Sequence, residues 1–100
     1  MATKTRKEIF DLLSQNFIQM RNDYGVEKMG VFGTFVREEQ RPESDVDILV
    51  EFSRPVGMVD FIRIETMLQD LLGIRVDLVT RNALKKNIGQ RILNEVQYVN

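Results

Sequence analysis

Residues 29–52 read MGVFGTFVREEQRPESDVDILVEF, and the last eight letters decide how the chain folds around them. From Asp45 to Phe52 the pattern alternates strictly, with Asp45, Asp47, Leu49 and Glu51 on one side and Val46, Ile48, Val50 and Phe52 on the other. A period of two is the signature of a β-strand, and the Val/Ile/Val/Phe side is the one that faces a core. Upstream, Lys28 to Phe32 is a short apolar run that stops at Gly33, which predicts a second strand ending in a tight turn. The polar stretch 34–44 begins as a short helix and continues as a loop.

Outward from this pair the periodicity becomes helical. Thr5-Arg6-Lys7-Glu8 reads as a capping box, and Ile9, Leu13, Phe17 and Met20, with Phe10 beside them, predict a core-facing helix near 5–23 that stops before Gly25. After the punctuation Ser53-Arg54-Pro55-Val56-Gly57, residues Met58 to Leu72 return to helical spacing through Phe61, Ile64, Glu65, Leu68 and Leu71/Leu72, and Gly73 closes the helix. Ile74 to Val79 predicts a third strand, with Ile74, Val76 and Leu78 on one face and Arg75, Asp77 and Val79 on the other. Thr80 is placed to cap a last helix near 83–97 carrying Leu84, Ile88, Ile92 and Val96. The order α-β-(α)-β-α-β-α predicts an α/β (α+β) fold in which a small sheet packs against helices, as one domain over residues 1–100.

Composition narrows the chemistry. The chain has 100 residues, of which 43% are hydrophobic, enough for one core without metal or disulfide staples. It has neither His nor Cys. This excludes a Ser-His-Asp triad, a thiolate nucleophile, an iron–sulfur cluster and a His/Cys zinc site. Any metal must therefore be one that accepts hard oxygen ligands, such as Mg²⁺, Mn²⁺ or Ca²⁺. Fourteen basic residues against fifteen acidic ones give a net charge of −1, which disfavours nucleic-acid binding through a broad basic face. The basic opening Met1 to Lys7 is not followed by a signal-type apolar segment, and no apolar run reaches membrane length; a cytoplasmic protein without membrane contact is the expectation.

The chemistry-bearing residues are Gly33-Thr34, then ten residues, then Asp45-Val46-Asp47. Two Asp at i and i+2 of a strand project from one face with Cβ atoms roughly 7 Å apart. Such a pair can share divalent ions; without a cation their repulsion raises at least one pKa and opposes folding. The bland reading, a solvated acidic sheet face, is the better one for a lone D-x-D. Two features weigh against it. Phe32-Gly33-Thr34 can turn backbone N–H groups and a hydroxyl toward a phosphate, and Asp77 is a third acid inside an apolar strand that joins the same face if the two strands pair in register. Together these are the parts of two-metal nucleotidyl transfer, in which one ion activates the attacking oxygen and the other holds the triphosphate, with Asp77 as the candidate either to accept the proton or to orient the nucleophile through the first ion. Arg37 has two readings, a contact to phosphate or carboxylates and a structural ion pair. Lys85, Lys86 and Arg91 can approach a triphosphate or a partner, although solvated helix charge is the simpler reading. Phe32 to Val36 fails as an RNA-binding RNP1 motif, because Thr34 stands at an aromatic position.

These residues resemble the G-S-x(about 10)-D-x-D signature of the DNA polymerase β-like nucleotidyltransferase superfamily. With "IETMLQDLLGIRVDLVT" (64–80) and "ALKKNIGQRILNEVQYV" (83–99), nearly the whole chain resembles its minimal nucleotidyltransferase (MNT, MntA-like) branch. The resemblance implies a minimal nucleotidyltransferase fold with a mixed sheet, Mg²⁺ (two ions during catalysis) on Asp45, Asp47 and Asp77 as the catalytic carboxylates, and nucleotide phosphate at Gly33, Thr34 and Arg37. It further implies ATP as substrate and a HEPN-domain toxin as partner in a type VII-like toxin–antitoxin pair, with AMP transferred to a tyrosine of that toxin. Two departures stand out: Thr34 replaces the family's Ser and adds a methyl, and Glu38 follows Arg37 where Gly is common. These departures, and the absence of an acceptor-binding domain, support an alternative in which the chain neutralises its toxin by binding alone. A third reading is small-molecule nucleotidyl transfer. The small size favours a homo- or hetero-oligomer.

Overall fold

The structure, a computed structural model, describes residues 5–37, 39, 44–83 and 86–99. Among these residues nine elements follow one another: α1 (Arg6–Tyr24), β1 (Val26–Phe32), α2 (Thr34–Arg37), β2 (Val46–Phe52), α3 (Met58–Leu72), β3 (Val76–Thr80), a 3₁₀ turn (Arg81–Ala83), α4 (Lys86–Glu95) and β4 (Gln97–Tyr98). The strands form one mixed sheet in the order β3-β2-β1-β4. β1 runs antiparallel to both its neighbours, and β2 and β3 are parallel, with α3 as the crossover.

The helices start and stop where local chemistry dictates. Thr5 accepts from the Glu8 N–H while Glu8 accepts from the Thr5 N–H, each at 3.1 Å, so the capping box is complete. α3 ends as expected at Gly73, whose N–H returns to Gln69 O at 2.8 Å. The buried stripes Ile9, Leu13, Phe17 and Met20 of α1 and Ile64, Leu68 and Leu72 of α3 pack on Val26, Met29 and Val31 of β1, Val46, Ile48 and Val50 of β2, and Val76 and Leu78 of β3. A register irregularity between Val26 and Lys28 lets Val26 and Met29, three apart, both reach this core. The outer edge of β3 is occupied by α3 side chains: Gln69 accepts from Val76 N–H at 3.1 Å and Glu65 from Leu78 N–H at 3.4 Å. Backbone donors at an open edge, which otherwise invite strand addition, are thereby satisfied.

The chain's end departs from expectation. The helix expected over 83–97 is divided into the 3₁₀ turn, the shorter α4 and the two-residue β4. Thr80 caps the 3₁₀ turn, its hydroxyl accepting from Ala83 N–H at 3.3 Å. The physical reason lies on β1. A side chain at residue 30 would place its Cβ 2.6 Å from Val96 Cγ2; glycine there lets the returning chain lie against the sheet. Tyr98 pairs with Gly30, and Val99 N–H donates to Met29 O at 2.7 Å. This also explains Leu49, which alternation assigns to the acidic face yet is fully buried. Its β1 partner is Gly30. Leu84, and the side chain of Ile88, lie outside the described residues.

Candidate active site

The site grows from the end of β1. Gly33 has φ +80, in the left-handed region, and a Cβ there would overlap the Asp47 carboxylate. Both conditions demand glycine. Its carbonyl accepts from the Val36 and Arg37 N–H groups at 3.1 and 3.2 Å, so the turn leads directly into α2, with half-buried Thr34 as its first residue.

Strand register supplies the neighbours. Phe32 of β1 pairs with Asp47 of β2, and Asp47 pairs with Asp77 of β3. The register that sequence could only assume therefore exists, and one row crosses three strands from the glycine turn to the second and third acids. Asp47 is half-buried; Asp77 and Asp45, the latter one residue ahead of β2, are exposed. Burial pushes the Asp47 carboxyl up to about 6, with the negative charges of Asp77 and Asp45 adding to the effect and Arg37 opposing it. Among the described residues no three acidic side chains are gathered closely enough, as they stand, to hold an ion between them. The donor set nonetheless fits a hard divalent cation: all three groups are carboxylates, and the central one is held against its neighbours' charge with too little positive charge nearby to balance it.

Arg37 and Glu95 complete the rim. Glu95, the last residue of α4, accepts from the Gly33 N–H at 2.9 Å through Oε2 and from Arg37 Nη1 at 2.5 Å through Oε1. Glu39 makes a longer ion pair with Arg37, at 3.4 Å. Burial alone would raise the Glu95 carboxyl, but the Gly33 N–H and the guanidinium outweigh it and hold the group below its ordinary value; the Arg37 pKa is raised in turn, chiefly by its bond to Glu95. A cleft of about 260 Å³ opens here, lined by Phe32, Gly33, Arg37, Asp47, Arg91, Ile92 and Glu95. A larger cleft of about 560 Å³ lies toward the other ends of β2 and β3, around Glu51, Arg54, Phe61 and Arg81, away from the acidic row.

The structure thus brings Gly33, Thr34, Asp47 and Asp77 into one neighbourhood, gives Arg37 an ion pair, and adds Glu95, which the sequence reading missed. Nothing in the letters marks Glu95; it is one charge on a helix expected to run on to residue 97. Arg91 borders the cleft. Glu38, Arg41 and Lys85, and the side chain of Lys86, lie outside the described residues. Among the described residues, no helix is long and apolar enough to cross a membrane.

With this geometry in hand, likeness to known proteins becomes informative. Residues 13–99 match the family described as nucleotidyltransferase domain. The protein adenylyltransferase MntA of Thermococcus cleftensis is 44% identical over 99 residues, covering 99% of this chain and 100% of that one. A solved structure of a candidate minimal nucleotidyltransferase superimposes with a TM-score of 0.81 at 27% identity, over 97% of this chain and 98% of that one. A chain from the solved complex of a tri-AMPylated Shewanella oneidensis HEPN toxin with MNT antitoxin aligns at TM-score 0.64 and 17% identity, over 90% of this chain and 71% of that one; at that identity the likeness is one of fold.

Proposed function

The chain belongs to the nucleotidyltransferase domain family and is a nucleotidyltransferase, and from that premise we propose that it transfers AMP from ATP to a HEPN-type toxin, as that toxin's antitoxin in the cytoplasm. Residues 1–100 act as one domain in this reading. The observation that carries it is the row Phe32–Asp47–Asp77 beside Gly33, which sets two carboxylates next to a glycine turn. Identity of 44% to a protein adenylyltransferase supports the reaction, and the HEPN toxin found with an MNT antitoxin of like fold supports the partner.

In this mechanism Gly33, Thr34 and Arg37 hold the nucleotide phosphates through a backbone N–H, a hydroxyl and a guanidinium. Asp45, Asp47 and Asp77 are the residues that would hold Mg²⁺. Bound there, the cation neutralises phosphate charge and makes the α-phosphorus more electrophilic. The acceptor hydroxyl, a tyrosine of the toxin, attacks the α-phosphorus; an O–P bond forms as the α–β bridging bond breaks and pyrophosphate leaves. Asp77, the most open of the paired acids, takes the hydroxyl proton. The partner supplies the acceptor hydroxyl in this reading.

The deciding experiment is label transfer from α-labelled ATP with Mg²⁺ into the purified HEPN partner, comparing wild type with Asp47→Asn. Labelled partner is expected with wild type, and a loss of about a hundredfold or more in the variant, the scale associated with removing one preorganised electrostatic group. Undiminished transfer by a folded Asp47→Asn protein would refute the assignment. A second reading, neutralisation by binding alone, is favoured by one observation: the Gly33 N–H and Arg37 are already engaged by Glu95. Under it, Asp45→Asn protein neutralises the toxin as well as wild type without labelling it.

A further inference from the structure

Glu95 uses both carboxylate oxygens, and it uses them on two of the groups assigned above to nucleotide phosphate. Oε2 takes the Gly33 N–H and Oε1 takes Arg37 Nη1. A phosphate group presents the same chemistry, two anionic oxygens able to accept from a backbone N–H and a guanidinium together. We propose that Glu95 is an internal competitor for the triphosphate, a tethered carboxylate that holds the phosphate turn of the nucleotide-free protein and must be displaced for nucleotide to bind. This inference rests on the nucleotide site proposed above and assigns Glu95 the role of setting its affinity.

Three observations make the exchange physically reasonable. Glu95 is the terminal residue of α4, so its side chain can swing without breaking the helix behind it. Arg91 lies one turn back on the same helix, borders the same cleft and already attracts the Glu95 carboxylate, which gives the displaced group a cation to turn toward. Finally, one anion replaces another on the same two donors, so neither the partly buried Gly33 N–H nor the guanidinium is left unsatisfied. A ligand must carry enough charge to compete with an ion pair already formed, which selects polyphosphates over neutral groups.

A merely structural Glu95, bracing Arg37 in its productive position, would behave in the opposite sense: weakening it would weaken nucleotide binding. The test is calorimetric binding, with Mg²⁺, of a non-hydrolysable ATP analogue and separately of inorganic triphosphate to four folded proteins: wild type, Glu95→Gln, Glu95→Ala and Glu39→Gln. Glu39→Gln removes the same charge from the same arginine without touching Gly33. Both Glu95 variants are expected to bind both ligands about five- to tenfold more tightly, at most ~1.4 kcal/mol. Glu39→Gln should change affinity by less than about twofold, as for an exposed pair. Equal or weaker binding by the Glu95 variants beside a wild type that binds would overturn the competitor role alone, and an equal gain in Glu39→Gln would reduce it to charge removal. Binding by none of the four would remove the nucleotide site and the competitor with it.

Discussion

The two faces of the sheet obey different rules. On the face covered by α1 and α3, Val46, Ile48 and Val50 of β2 are completely buried, and their neighbours on β1 and β3 are apolar in turn. One residue along the same strand, pointing the other way, Asp47 sits against Asp77 with its carboxyl pushed up to about 6. The first face is built from contacts that stabilise whatever the solvent holds. The second keeps a half-buried acid beside two others, an arrangement that costs stability in the free protein and becomes favourable only when a cation or ligand balances it. The contrast shows that β2 is a structural strand and a site-forming strand at once, divided by the period of two.

The contrast can be broken most forcefully from the apolar side. Ile48→Ala should lower unfolding free energy by about 2–5 kcal/mol in denaturant titration, through lost burial and the cavity left behind; a cost below 1 kcal/mol, as for a surface site, would contradict the core assignment. Gly33→Ala tests the junction of the two faces. Because the left-handed φ and the Asp47 carboxylate both resist a Cβ, a loss of about 1–3 kcal/mol is expected, visible as a lower Tm, together with impaired nucleotide binding.

Asp47→Asn should produce the smallest stability change and the one of opposite sign. The raised carboxyl pKa means that the folded protein holds the Asp47 proton more tightly than the unfolded chain does. Stability from this group is therefore fully present below about pH 4, declines as pH rises to about 6 and stays low above it. Asparagine carries no such charge. After discounting for the solvent around a half-exposed group, the variant should gain on the order of 1 kcal/mol above pH 7 and nothing near pH 4. Thermal melts at the two pH values, without metal, check it; equal effects at both would dissolve the contrast in electrostatics between the faces. If the proposed loss of transfer in Asp47→Asn accompanies this gain in stability, the acidic face is kept for function.

Legibility in the sequence followed the same division. The Ile9/Leu13/Phe17/Met20 stripe, the Met58–Leu72 helix with Gly73, and the alternation of β2 each repeat over several turns or pleats, so the letters suffice to read them. Gly33-Thr34 and the three acids were legible as a motif. The pairing of Asp47 with Asp77 was not, because the register of two strands joined by a 15-residue helix is fixed by side-chain packing across the sheet rather than by local signals. β4, two residues long, is too short for periodicity to register, and it displaced the expected end of the last helix.

By itself, the sequence determined the first helix and the Met58–Leu72 helix, the core-facing side of β2, a carboxylate-based chemistry in a chain without His or Cys, and the family resemblance. These depend on residue type and short-range spacing, which the chain carries locally. Tertiary structure alone decided that Asp77 stands beside Asp47, that the chain's end returns over Gly30, and that Glu95 reaches Gly33 across 62 residues to take the N–H of the glycine turn. Contacts of that separation arise only once the sheet is assembled, because they follow from where packing brings the elements together and leave no periodic trace in the letters.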